Sequence, residues 1–316
     1  SVGDAQFNAG AAATGSAFEI DADDLAARAG TGDVNVVDLD SNSDGLDVEA
    51  LSYINKAGGT TNVTGVTAGA DVCLDVVNGN LDVNQVVTAT NGSVALKTRT
   101  GDINLNGADV TAATAGQTVS VESADDVNDT VDGTGSLVAT NVVLDAVNGI
   151  GDNATAGDDD VEVSAANLAA VSRTSGDVNI EVTNPAGTDV TITQLSTLKD
   201  GDTVTGVDAA GAVCIDVADN LQISESVTAR NGQAYLDATG NITIGNGNAD
   251  QVTSNTRVVM EAGGNIVDNN GANTAAAVAL GGDVILNAGG SVGDAQFNAG
   301  AAATGSAFEI DADDLA

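Results

Sequence analysis

The chain has 316 residues, a formal net charge of −38, no His, no Trp, a single Pro and 39 Gly, with 42% hydrophobic residues. Such an acidic excess excludes nucleic-acid binding, which needs Lys and Arg to displace counterions from phosphates, and argues against docking on anionic lipid. The lack of His excludes Ser-His-Asp and Cys-His catalysis, no apolar run approaches the roughly 20 residues of a membrane span, and the abundance of Val, Ile and Leu separates the chain from disordered acidic sequences.

The chain opens with SVGDAQFNAGAAATGSAFEIDADDLA at 1–26, and the same 26 residues return at 291–316, an offset of 290. Residues 291–316 are therefore expected to open a further copy of a 290-residue unit. DADDLAARAG (21–30) has the spacing of one helical turn or a loop. GDVNVV (32–37) then begins a series of short runs with apolar residues at i, i+2 and i+4, the period of a strand. Gly-Asp and Asn-Gly pairs separate the runs as turns.

DLDSNSDGLD (38–47) holds Asp40-x-Asn42-x-Asp44-Gly45, the opening of a calcium loop. Alternate oxygen ligands followed by a Gly turn can wrap a hard cation. The twelfth position is Leu51 rather than a bidentate Glu, so the pattern gives at most a partial Ca²⁺ site beside the reading as a polar turn. No motif requires a cofactor. Asp33, Asp102, Asp177 and Asp283, each following Gly and preceding an apolar residue, are expected on related corners. There, like charges would approach one another and favour bound cations.

DVCLDV (71–76) has Val72, Leu74 and Val76 on one face and Cys73 with Asp75 on the other. AVCIDV (212–217) repeats the arrangement with Cys214, and further matches lie between the halves. GVTAGADVCLDV (65–76) matches GVDAAGAVCIDV (206–217), and TATNGSVAL (88–96) matches TARNGQAYL (228–236). Residues 1–149 and 150–290 thus read as two diverged half-repeats. SAANLAAVS (164–172) is a second candidate for a helical turn. Both thiols are expected to face outward along one side, about seven coils or roughly 34 Å apart at strand spacing. That is too far for a bond between them. Each is then a candidate for an intermolecular disulfide between neighbouring rods, or an inert buried thiol.

Nested repeats of short strands predict an all-β parallel β-helix, a β-solenoid with coils of about 20 residues and a thin core of small apolar side chains. A 290-residue unit would rise roughly 67 Å. GSVALKTRTGDINLNG (92–107) and VVLDAVNGIGDNA (142–154) resemble the repeat regions of filamentous-haemagglutinin-like bacterial surface exoproteins. The resemblance implies a right-handed parallel β-helix, secretion to the cell surface, and adhesive or scaffolding work.

The expected function is a non-enzymatic structural segment of an extracellular bacterial fibre or giant surface protein. Its partners would be further copies of itself, stacked end to end and bundled laterally. The alternative is an adhesin stalk or binding face for a glycan or a host protein. Neither nucleic acid nor membrane insertion is expected.

Overall fold

The computed structural model describes residues 2–3, 16–39, 44–131, 133–151, 160–185, 187–245, 250–270, 275–280, 282–293, 308, 310–311 and 314–315. It is an all-β parallel β-solenoid of about ten turns and about 24 residues per turn. The turn exceeds the expected 20 because each has three sides joined by Gly- and Asx-rich corners. Equivalent core positions Val72, Val94, Val119 and Val142 stack directly above one another.

In the first half each turn has one long side and two short ones. The long sides are Val34–Asp38, Val72–Val76, Val94–Thr98, Thr118–Ser123 and Asn141–Ala146. Leu46–Val48, Leu81–Val83, Ile103–Leu105 and Val127–Asp129 form the first short side. Val66–Ala68, Val87–Ala89 and Val110–Ala112 belong to the second. Alternation puts Val, Leu, Ile and Ala inward, where they form one continuous buried cluster. Like stacks on like: Leu46 on Leu81, Val66 on Val87, Ala68 on Ala89. Small β-branched residues fill so narrow an interior, in contact with the rungs above and below.

The two stretches with helical spacing are strands. Asp24–Leu25 and Ala27–Ala29 pair in parallel with the rung above, and Asn167–Ser172 lies in register on Asn141–Ala146. Leu168, Ala170 and Ser172 point inward, and the open ladder on both sides outweighs the helical preference of Ala.

Asn167–Ser172 also marks a change of cross-section. One rung further on, Asn167 and Leu168 pair with Thr191 and Ile192, while Ala170–Ser172 pair with Val207–Ala209. One long side thus divides into two short ones. On the other flank, Ile150 continues the first short side from Val127 and bridges to Val178. Val161–Val163 continue the second short side and pair with Ile180–Val182. Two short sides thereby fuse into the long strand Val178–Val182, which Val213–Val217, Ala234–Ala238, Arg257–Ala262 and Asp283–Ala288 extend. The triangle is turned over: the long side of the second half lies opposite that of the first.

Among the described residues each half carries one antiparallel hairpin. The first pairs Ala50–Ile54 with Thr60–Thr64, and the second pairs Gln194–Ser196 with Thr203–Thr205. Both leave from the corner between two short sides and return through Thr-Gly-Val. Gly65 (φ +62°) and Gly206 (φ +69°) occupy that return. A Cβ there would stand 2.1 Å from the carbonyl oxygen of Val86 or Ser226, so only Gly fits.

Candidate functional site

The second hairpin folds back along the long side of the first half, and its tip reaches strands that precede it by more than 70 residues. Leu195 and Val204 pack on Val143 and Ala169, with Val171 beside them. At the tip, Leu198 closes over Cys73 and Ala95. These are outward-facing positions of a solenoid side, and the hairpin turns them into a second, smaller core.

Charged groups hold the tip. The backbone N–H of Leu198 donates to Ser120 Oγ (3.1 Å), and those of Lys199 and Asp200 donate to the two carboxylate oxygens of Glu122 (2.8 and 3.2 Å). Lys199 Nζ lies 3.0 Å from Asp75 Oδ2 and donates to Cys73 Sγ at 3.4 Å. Arg99 binds Asp75 with two parallel bonds of 2.9 and 2.8 Å, and Lys97 pairs with Asp200. Arg173 forks onto Asp145 and reaches Asp202 at 3.5 Å. Four of the chain's eight basic residues are thus spent on one side, around a polar cleft of about 500 Å³.

The titration of these groups follows from that packing. Burial works to raise Asp75, but the Arg99 bonds and Lys199 prevail and hold it below the usual carboxylate range. Glu122 is raised, by burial above all, against the opposing Lys199 N–H and Lys97. Burial pushes the Cys73 thiol up to about 11, although Lys199 pulls the other way. A thiol so protonated and enclosed is a poor nucleophile.

Cys73 and Cys214 face outward, but on opposite sides of the rod, because the long side changes place between them. Five rungs, about 24 Å, separate them along the axis, rather than the seven expected. Cys73 is fully buried beneath the hairpin and closed to a bond with a second rod, whereas Cys214 is half-buried. Of the calcium-loop residues, Asp40 and Asn42 lie outside the described residues. Asp44 is exposed at the start of a short side.

The Gly-Asp residues do not share one corner. Asp33 precedes a long side of the first half, Asp102 precedes a first short side, and Asp177 and Asp283 begin long sides of the second half. Asp283 pairs with Arg257 at 3.3 Å, while the oxygens of the other three serve the backbone of the next turn. Asp33 accepts from Asp71 N (3.2 Å), Asp102 from Asp126 N (3.1 Å) and Asp177 from Ala212 N (2.6 Å). Asn does the same at Asn220→Asn241→Asn265→Ser291, each amide oxygen accepting the next backbone N–H at 2.7–2.8 Å. Among the described residues Asp102, Asp125 and Asp126 bring three carboxylates within 4.8 Å of one another. All three are engaged: Asp102 by the backbone N–H of Asp126, Asp126 by Gly149 N at 2.5 Å, and Asp125 by the Asn148 amide.

Sequence reasoning missed the latch of Asp75, Glu122 and Lys199. The available signal was the correspondence of LSYINK (51–56) with LSTLK (195–199) in a chain so poor in Lys. Compared with known proteins, the chain matches no family model, no curated protein and no solved structure.

Proposed function

We propose that this chain is a structural segment of an extracellular bacterial β-solenoid fibre, in which 290-residue units stack end to end. The observation that carries the proposal is how backbone hydrogen bonds divide between the two copies of the repeated segment. At the internal junction Ile150 sits within four bonds: Val127 N to Gly149 O (2.9 Å), Gly151 N to Val127 O (2.8 Å), Ile150 N to Asp177 O (2.9 Å) and Asn179 N to Ile150 O (2.8 Å). The equivalent of Ile150 is Val2 in one copy and Val292 in the other.

Around Val292 are the lower two: Ile266 N to Ser291 O and Gly293 N to Ile266 O, both 2.9 Å. Around Val2 are the upper two: Val2 N to Asp33 O (2.7 Å) and Asn35 N to Val2 O (2.6 Å). Likewise Ile310–Asp311 pair downward with Ala277–Val278, and Phe18–Ile20 pair upward with Val36–Asp38. Among the described residues, one copy of the segment therefore makes the lower contacts and the other the upper contacts of such a junction.

The partner is another unit of the same chain. The acidic surface keeps rods hydrated and apart. Secretion and surface display follow from the resemblance to filamentous-haemagglutinin-like exoproteins and from composition. The chemistry of the described site is mechanical, since its carboxylates are committed to Arg, Lys and backbone partners. Eleven ladder steps separate Phe18–Ile20 from Ile310–Asp311. At about 4.8 Å each, one unit adds about 53 Å. Small-angle scattering from chains with one and with two consecutive units tests this. The expected result is a rod longer by about 53 Å with an unchanged cross-section; a thicker particle of unchanged length overturns end-to-end stacking.

A further inference from the structure

We propose that the first hairpin, Ala50–Ile54 with Thr60–Thr64, latches onto the second-half long side of the preceding unit, with its tip over Cys214. This rests on the end-to-end stacking proposed above and goes beyond it, since stacking alone requires no such contact.

The second hairpin is the precedent. It leaves the corner between two short sides, runs back over five rungs, and ends on Cys73. The first hairpin leaves the corresponding corner, between Leu46–Val48 and Val66–Ala68. Counting back from there, the rungs are 24–29, 283–288, 257–262, 234–238 and 213–217, with residues 24–29 taken as the copy present at 314–315, which pairs with Asp283 and Val284. The fifth rung holds Cys214, as the fifth rung under the second hairpin holds Cys73.

Side chains correspond as well as topology. Leu195, Leu198, Lys199 and Val204 match Leu51, Ile54, Lys56 and Val63. In the second hairpin Val204 is 3% exposed and Leu198 is partly buried; in the first, Ile54 is 76% and Tyr53 54% exposed. The hairpin thus presents an apolar edge of the kind its counterpart buries. The receiving side is complementary. Glu181, Asp216, Asp237 and Glu261 follow one another in register along it. On the first-half long side the equivalents of Asp216 and Asp237 are Asp75 and Lys97, and there Lys199 supplies a cation to Asp75. Lys56 is placed to supply it to Asp216. Burial raises Asp237, with Asp216 and Glu261 adding repulsion, and the same side holds Tyr235 up at about 12, by burial first and then Glu261. A cation arriving there offsets the repulsion among these groups.

Counting reactive thiols under native conditions tests the latch. Cys73 is buried in either case, so the one-unit chain should offer one reactive thiol, Cys214. A chain with two consecutive units should also offer one, because the second unit's hairpin covers the first unit's Cys214. Ile54→Asp in the second unit, at an exposed position that leaves the one-unit melting midpoint unchanged, should raise the count to two. Two reactive thiols in the unsubstituted two-unit chain, or one in the Ile54→Asp chain, overturns the latch. Scattering on the same sample separates the causes: a rod longer by one unit with two reactive thiols refutes the latch alone, and a chain that fails to lengthen refutes both.

Discussion

Single residues in this rod work by repetition, and the acidic ones illustrate how repetition is kept tolerable. A strictly repeated Asp would stack carboxylates at strand spacing, where like charges repel. The chain dilutes such rows with Asn: Asn104 donates to Asp82 at 2.6 Å, and Asn128 donates to Asn104 at 3.0 Å. Where dilution stops, protons fill in. Asp47, against Asp82 and Asp24, is raised to about 6, by burial first. Asp129 is buried against Glu162 and raised to about 8, again by burial first and then by the bond it shares with Glu162. A folded pKa above the unfolded one means the native state holds the proton longer. Stability from these sites is complete below about pH 4 and is lost as pH rises through about 6 and then about 8. The melting midpoint should therefore fall between pH 5 and pH 9. Asp129→Asn should recover roughly 2–4 kcal/mol at pH 9 and flatten the upper part of that decline while leaving the lower part. Equal pH dependence in the two proteins would refute a shared proton at Asp129.

At the scale of elements, the second hairpin binds two distant stretches of sequence in a fold whose rungs otherwise touch only neighbours. Its hold combines apolar contact through Leu198 with ion pairs at Lys199, and Cys73 reports on both. Leu198→Asp should lift the tip, turn Cys73 from unreactive to reactive, and leave the rungs intact; a thiol that stays protected would show that the rung, not the hairpin, encloses it. The rungs themselves were readable from alternation, because each strand meets the same environment above, below and inside. Val72, Leu74 and Val76 declare their side by period alone, and so does the outward parity of Cys73. The hairpins were not readable: ALSYI and TTNVT carry strand composition without stating a partner, and covering Cys73 depends on a contact across more than 120 residues. Nor does alternation say on which side a strand lies. For that reason Cys73 and Cys214, equivalent in sequence, were expected together and stand opposite each other.

The whole molecule shows what that exchange of sides accomplishes. One inversion of the triangle per half-repeat returns the cross-section to its starting orientation after 290 residues, which is what the proposed end-to-end stacking requires. It also places the two hairpins on opposite sides of the rod, so the latches proposed above would alternate about the axis. Everything then passes through the junctions, and in the internal one Ile150 is both the fully buried side chain and the residue between the two ladders. A solenoid's stability is close to a sum of rung terms and interfaces between neighbours, so cooperativity lasts only while interfaces hold. Ile150→Asp buries a charge in the core and weakens one interface by several kcal/mol, while the rungs of each half keep their own contacts. Denaturant unfolding should change from one transition to two, with hydrogen exchange assigning the earlier to one half. A single transition, moved to lower denaturant with unchanged slope, would instead mean that the halves are joined chiefly by the hairpin laid across them, and that the alternating latches, rather than the stacked rungs, make the rod one body.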